Sequence, residues 1–262
     1  MRYPLRVLVI GGLTSYRALF AWISPWILIP TFVVGPVAQI LLFAYLGRSA
    51  GAGDDRFYVL GNALLYTAIP CLFAVGNTIT GERDQQTLSL ILATPASRFA
   101  LFVGRALPVI VNGFLVAVFG LFAGAAILHV HLPPATWLPL LVPIAAAAYS
   151  CTGLGMTVAA IALRVRETAV LPNLLYGLLL VVCGVNVPVS ALPSWLGAIA
   201  PWLPLTHALS AARSVAAGST LGAVAGQLGL EIAVGSAFLF GGLILLRVEE
   251  AEARRRATLD IA

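Results

Sequence analysis

The residue with the clearest capacity for chemistry is Glu231, which lies about ten residues into the last long apolar stretch of the sequence. A carboxylate inside a membrane span costs roughly 2.5–3.5 kcal/mol on insertion scales, so it is a functional candidate by default. Glu231 could contact a cationic substrate, carry a proton, or pair with Arg213 from the preceding segment. The structural alternative is that Glu231 is protonated, is hydrogen-bonded between helices, or lies closer to the outer interface.

Three asparagines are the other polar candidates within apolar stretches: Asn112, Asn173 and Asn186. Amides inside membrane spans commonly hydrogen-bond to a neighbouring helix, and this is the role that we expect first. Asn112 and Asn186 are, together with Glu231, our candidates for a substrate path.

No combination of side chains predicts catalysis. The sequence has neither a Gly-x-Ser-x-Gly nor a His-Glu-x-x-His motif, and its ten carboxylates are dispersed. All fifteen basic residues are Arg. Without Lys the chain has no Walker A phosphate-binding loop and no Schiff-base nucleophile. We therefore expect a chain that is not an enzyme and binds neither a cofactor of its own nor nucleic acid.

Metal binding is also not expected. His129 and His131 could both face a metal ion, but no third ligand is near them in the sequence, so a polar loop is favoured. The three cysteines, Cys71, Cys151 and Cys183, are isolated in apolar runs, where free Cys is a common small buried residue.

The composition indicates an all-α membrane protein. Hydrophobic residues make up 60% of the 262 residues, charged residues only 10%, and the mean hydropathy is +0.99. Because a helix needs roughly 20 apolar residues to cross the hydrocarbon, the chain has room for about six spans. The predicted spans are 27–46, 57–79, 99–128, 138–163, 168–187 and 221–246.

The remaining segments complete one predicted transmembrane domain over residues 1–262. Residues 1–26 are basic and amphipathic, which is typical of a helix lying in the membrane interface. Residues 187–219 are apolar but broken by several prolines. We expect this segment to form two short re-entrant helices, anchored by Trp195 and Trp202. Residues 247–262 are a charged tail, expected to be a short cytosolic helix.

The placement of arginine predicts the orientation. Twelve Arg lie in the N-terminal segment, the two connections after the second and fourth spans, and the tail, whereas Arg48, Arg56 and Arg213 lie on the opposite side. Cytoplasmic loops carry the excess of basic residues. The prediction is a multi-pass protein of the cell membrane with both termini in the cytoplasm.

The connection 81–98 is a polar stretch between two long apolar runs. Leu88, Ile91 and Leu92 share one helical face, and Glu82 and Asp84 fall in the first turn, where the helix dipole favours negative charge. We interpret it as a cytosolic helix that a soluble partner can grip. A solvated loop that only joins two spans is the alternative.

Two stretches of sequence resemble the ABC-2 type permeases, the membrane subunits of ABC exporters. The first is Gly81-Glu-Arg-Asp-Gln-Gln-Thr-Leu-Ser-Leu-Ile-Leu-Ala-Thr-Pro95, which is similar to the family's segment after the second span, with Gln86 and Ser89 in place of the usual Gly and Glu. The second is the broken segment, with Leu192-Pro-Ser-Trp195 and Pro201-Trp-Leu-Pro-Leu-Thr206. The layout of amphipathic start, six spans and cytosolic ends covers essentially the whole chain.

The resemblance implies a dimer of permeases, identical or different, that works with separate ABC ATPase subunits, which bind ATP and Mg. It implies a main coupling helix at 82–92 and a lesser one at 164–167, and export of an amphiphilic drug, antibiotic or lipid-linked glycan. The residues implied in coupling are Glu82, Arg83, Thr87, Leu88, Ile91, Leu92, Arg164, Arg166 and Glu167.

Two other classes of function stay open at this point. One is an ATP-independent membrane protein, either a proton-coupled carrier that uses Glu231 or a channel. The other is an intramembrane enzyme, which the lack of a nucleophile–base pair disfavours.

Overall fold

The computed structural model describes residues 30–51, 54–73, 98–165 and 169–256, and these residues form helices and turns without a β-strand. The predicted interfacial segment 1–26 lies outside them. Within these ranges, five helical stretches are long and apolar enough to cross a membrane. They are Phe32–Ser49, Asp55–Phe73, Ala106–Ile127, Pro134–Ala162 and Ala225–Val248.

The first two helices form a hairpin. A π-helical turn, Pro30–Val34, leads into α1 (Gly35–Ser49), whose Pro36 lies in the first turn, where a missing N–H costs nothing. Helix α2 (Asp55–Leu65) begins at Asp54, whose side chain accepts a hydrogen bond from the Arg56 N–H. After a turn at residues 66–67, helical structure continues to residue 73.

The third and fourth helices agree closely with their predicted spans. Helix α3 (Arg98–Ile127) and helix α4 (Pro134–Val165) are each about 30 residues long, so they extend beyond the roughly 20 residues that a span needs. Their internal prolines, Pro108, Pro139 and Pro143, are tolerated because neighbouring helices surround them.

The predicted fifth span is shorter than expected. Residues 168–187 were expected to span the membrane, but helix α5 (Val170–Val182) has 13 residues. Gly184 follows its end with a φ of +81°, a left-handed conformation that commonly ends helices because glycine adopts it without a Cβ clash. The sequence remains apolar as far as Val187, so the apolar pattern did not predict that α5 ends at Val182. Among the described residues, five helices are therefore long enough to span, and the predicted sixth span is not confirmed.

The segment before the last span contains two short helices, as predicted. They are α6 (Ser194–Ile199) and α7 (Thr206–Ala216), separated by a 3-10 turn, Ala200–Trp202. Trp195 and Trp202 are both exposed. Helix α8 (Ala225–Arg256) begins four residues after the predicted start at 221 and continues without a break into the charged tail. Up to Arg256, the charged tail is therefore part of α8 and does not form a separate helix.

Burial divides the spans into inner and outer ones. In the spans formed by α2 and α4, 78% of the residues are buried, compared with 22% for α1 and 28% for α8. Helices α4 and α8 share the most extensive contact of the bundle. The buried core is made of aliphatic side chains and many alanines, which is typical of membrane bundles, where small residues allow close packing.

Candidate functional site

Glu231 joins three helices through one carboxylate. The side chain is fully buried. Its Oε1 accepts hydrogen bonds from the Ser150 hydroxyl of α4 and from the Leu205 N–H at 2.6 Å. Its Oε2 accepts from the N–H groups of His207 and Ala208 at 3.1 and 3.0 Å. We call Glu231 and these four donors the Glu231 site.

The three backbone donors are the N-terminus of α7. The first N–H groups of a helix have no partner within the helix, and its dipole favours an acceptor or negative charge there. Leu205, just before the helix, has a φ of +82°, which is rare for a residue with a side chain. Such strain of order 1–3 kcal/mol persists only where surrounding contacts fix it. The bond from Leu205 to Glu231 is one such contact.

Close packing of α4 against α8 sets the position of Glu231. A Cβ on Gly153 would lie 2.2 Å from the carbonyl oxygen of Gly235, so only glycine allows the two backbones to approach this closely. The Thr157 hydroxyl donates to the Phe238 carbonyl at 2.7 Å, and Tyr149 bonds to Ser236 at 2.9 Å. This pair of helices therefore holds the carboxylate firmly beneath α7.

A second polar cluster connects α1, α2 and α5. The Tyr176 hydroxyl donates to the Gln39 side-chain oxygen at 2.7 Å, and the Gln39 amide donates to Asn62 at 3.0 Å. The Asn62 amide in turn donates to the Asn186 side-chain oxygen at 2.8 Å and to the Tyr58 carbonyl at 3.0 Å. We call Gln39, Asn62, Tyr176 and Asn186 the amide network.

The amide network ends in a free donor. The side-chain nitrogen of Asn186 is buried and has no hydrogen-bond partner among the described residues. Whereas Asn62 is fully buried, Gln39, Tyr176 and Asn186 are half-buried. A donor left unpaired in an apolar surrounding costs roughly 1–3 kcal/mol. The network is therefore able to accept one more partner that carries a hydrogen-bond acceptor.

Arg213 lies beside this network and not beside Glu231. Its guanidinium donates to the carbonyl oxygens of Val185 and Phe57 at 3.1 and 3.5 Å and lies 3.6 Å from the centroid of the Phe57 ring. Burial lowers the pKa of Arg213 to about 10, which leaves it cationic at neutral pH. Its Nε has no partner among the described residues. The suggested pairing of Glu231 with Arg213 is therefore wrong, because each has other partners.

The three arginines that the sequence analysis assigned to one side lie at one end of the bundle. Arg48 forms an ion pair with Asp55, and Arg56 donates to the His131 carbonyl at 2.8 Å. Arg213 contacts Phe57, the residue next to Arg56. The connections α1–α2 and α3–α4 and the helix α7 therefore share this end.

The remaining predicted residues fall in different places. Asn186 makes the expected bond to another helix, but Asn173 does not: it is exposed and donates to the Ala169 carbonyl of its own helix at 2.8 Å. Asn112 is half-buried on α3. Arg164 lies in the last turn of α4. The other coupling candidates lie outside the described residues: Glu82, Arg83, Thr87, Leu88, Ile91, Leu92, Arg166 and Glu167.

Sequence reasoning missed several members of both clusters. Gln39 and Asn62 are strongly polar residues inside the predicted first and second spans, and this signal could have been read as it was for Asn186. Ser150 and Tyr176 carry no such signal, because hydroxyls are common in membrane helices. The backbone donors of Leu205, His207 and Ala208 are not visible in any residue type.

The described part of the chain contains no group of three or more His, Cys, Asp or Glu residues that could hold a metal ion. Its three cysteines are free and buried. Cys71 and Cys151 contact polar groups of neighbouring helices: the Cys71 thiol points at the Ala148 carbonyl at 3.5 Å, and the Thr67 hydroxyl donates to the Cys151 sulfur at 3.7 Å.

Long apolar helices with buried polar clusters between them define a polytopic α-helical membrane protein. The family model for ABC-2 type transporters matches residues 11–216, and the chain belongs to this family. The family consists of membrane permease components of ABC-type transporters, and it implies ABC ATPase partners. The match ends at Ala216, the last residue of α7, so Glu231 lies beyond it. No curated protein matches the sequence.

Proposed function

We propose that this chain is the permease subunit of an ATP-driven exporter in the cell membrane, acting as a dimer with separate ATPase subunits. The observation that carries the proposal is the family match over residues 11–216. The lack of Lys supports it, because a chain without a phosphate-binding loop needs a partner to use ATP. The distribution of arginine predicts that both termini lie in the cytoplasm, where the ATPases would bind.

The exposed side of α1 and α5 supports pairing with a second permease chain. Large apolar side chains project from it, including Leu42 and Tyr45 of α1 and Leu174 of α5. The hydrogen bond from Tyr176 to Gln39 links these two helices. A second copy on this side would enclose the amide network between two chains. Its spare donor, the side-chain N–H of Asn186, would then face a path rather than lipid.

The unpaired N–H groups of Asn186 and of the neighbouring Arg213 also favour one class of transported substrate. Asn186 and Arg213 offer N–H groups in an otherwise apolar surrounding, and such groups recognise carbonyl, hydroxyl or phosphate oxygens. An amphiphilic drug, antibiotic or lipid-linked glycan has both an apolar body and such oxygens. We assign Asn186 to the substrate path on this basis, and Asn112 stays a sequence-based candidate for it.

The rival function, proton-coupled transport through Glu231, is not favoured by any contact in the described structure. A proton carrier needs a carboxylate that can meet its proton donor and acceptor, whereas Glu231 is fully buried. Both of its oxygens bind the N-terminus of α7 and Ser150. We therefore propose a structural role for Glu231.

Substitutions in the predicted coupling helix, residues 82–92, test the coupling of this chain to the ATPases. Replacing both Leu88 and Leu92 with Asp removes the apolar face that a partner would grip, so substrate-stimulated ATPase activity should fall to the basal level while membrane insertion is unchanged. Ser89→Asp is the matched control, because helical spacing predicts that Ser89 falls off the face shared by Leu88 and Leu92, so this variant should retain coupling. Normal stimulation in the double Leu88→Asp/Leu92→Asp variant would refute the coupling role.

A further inference from the structure

A pocket beside the Glu231 site has no role in the function proposed above. One wall is a stripe of α8 that runs from Leu230 to Phe238 at helical spacing. The opposite wall is the turn Pro201–Trp202 and the first turn of α7 at His207. The cavity holds about 620 Å³, which lies within the 300–1,000 Å³ that is usual for small-molecule sites.

The chemistry of the walls excludes water as the main occupant. Apart from His207 and the indole of Trp202, every lining side chain is apolar. Apolar cavities stay dry, because a water needs two to four polar partners. An empty cavity of this size would also leave its walls without dispersion contacts. The stable occupant is therefore a hydrocarbon chain of another molecule.

The position of the pocket indicates where that hydrocarbon chain comes from. Helix α8 is an outer span with 28% of its residues buried, so its free side meets hydrocarbon. Trp202 and Leu230 at the rim are 75% and 54% exposed, which means that the cavity opens toward that side. The α8 stripe covers nine residues, a rise of about 12 Å, and it begins near one end of the span.

The polar groups lie at the end where a lipid headgroup would be. Tryptophan settles at the level of the headgroups, with its N–H available to ester or phosphate oxygens. The His207 ring is fixed by a contact of 3.0 Å between its Nε2 and the Pro201 carbonyl. Its backbone N–H donates to Glu231, so the wall of the pocket and the Glu231 site share one residue.

We propose that this pocket binds an acyl chain of a bilayer phospholipid, with the headgroup at Trp202 and His207. The bound chain packs against the first turn of α7 and so supports the helix end that Glu231 holds. This site is separate from the amide network and does not depend on the transport direction or on the ATPase partner.

The experiment uses the full chain in phosphatidylcholine–phosphatidylglycerol vesicles with a trace of phosphatidylcholine that carries a diazirine on its acyl chain. After irradiation, mass spectrometry should find the main adducts in the peptides that contain Leu230–Phe238 and Pro201–His207. Excess unlabelled lipid should compete for them. Ala233→Trp fills the pocket from an exposed position and should lower this labelling about ten-fold.

Ala237→Trp, a second filling variant, should have the same effect. Ala126→Trp is the matched control, because Ala126 is an exposed alanine of α3, away from the pocket, and labelling should be unchanged. Adducts spread evenly over all exposed helix faces, and unaffected by either filling variant, would overturn the proposal. A change from dimer to monomer in the filling variants would also overturn it, because the groove would then hold a second copy of the chain.

Discussion

The two polar clusters of this bundle differ in how completely their hydrogen-bonding capacity is used. In the Glu231 site, both oxygens of a fully buried carboxylate are bonded, and the donors come from α4 and from the N-terminus of α7. In the amide network, three of the four side chains are half-buried, and Asn186 retains an unpaired N–H. The first arrangement has no capacity left for a ligand, and the second does.

The packing around the two clusters differs in the same sense only on the side of the amide network that faces α1. Around Glu231, α4 and α8 approach at backbone distance through Gly153 and Gly235. The amide network includes Gln39 of α1, the least buried span. On its other side it too is packed at backbone distance, because a Cβ on Gly61 would lie 2.3 Å from the Val185 carbonyl oxygen. Interiors that are packed at backbone distance resist rearrangement, whereas an outer helix held by side-chain bonds can shift. We infer that α4, α7 and α8 form a rigid unit against which α1 can move.

The largest expected effect is that of Glu231→Ala, which leaves the N-terminal N–H groups of α7 without an acceptor. We expect a loss of stability on the order of 3 kcal/mol, since several buried donors lose their only described acceptor and each unpaired donor costs about 1–3 kcal/mol. Thermal unfolding in detergent measures it. Ile232→Ala, the exposed neighbour, is the control and should change stability little. If Glu231→Ala were as stable as the control but lost transport, the Glu231 site would belong to the transport path and would not have the structural role proposed here.

An intermediate effect is expected for Gly153→Ala. The added methyl group would overlap the Gly235 carbonyl, so α4 and α8 must separate, at a cost of about 1–3 kcal/mol. Gly177→Ala in α5 is the matched control, because no atom lies within 4 Å of the added carbon and alanine favours the helix. The control should therefore be neutral or slightly stabilising in the same unfolding measurement. Equal melting temperatures for the two variants would contradict the rigid α4–α8 unit.

The smallest effect on stability, but a clear one on transport, is expected for Asn186→Ala. It removes one hydrogen bond, worth about 1 kcal/mol, together with the unpaired donor. Transport per folded protein should fall several-fold through weaker substrate binding. Asn173→Ala, which removes only a bond within α5, should leave transport unchanged. An Asn186→Ala variant with full transport would remove the amide network from the path.

The sequence predicts those features of the structure that depend on side-chain type, and it does not predict those that depend on backbone conformation or backbone hydrogen bonds. Apolar runs located the five long helices, and the proline-broken stretch 187–219 correctly predicted two short helices. The end of α5 was missed, because Gly184 is one of 25 glycines and only its φ distinguishes it. The partners of Glu231 were missed because backbone N–H groups exist in every residue except proline, so no residue type marks them.

The amide network was predicted in part for a related reason. Asn186 was identified as a polar point expected to bond to another helix, and it does so. Its partner, Asn62, is 124 residues away, and the sequence alone gives no information about which polar residues meet across such a distance. Gln39 and Asn62 show that every amide within an apolar stretch is worth considering as part of one network.

The central claim is that ATP hydrolysis by a partner, and not a proton moving through Glu231, drives this permease. The direct test is transport of a fluorescent amphiphile into inverted vesicles that contain the chain together with its ATPase, with the proton gradient and ATP varied independently. We predict uptake with ATP when the gradient is collapsed, and none with a gradient alone. Gradient-driven uptake by the chain without its ATPase, abolished in a folded Glu231→Gln variant, would contradict the claim.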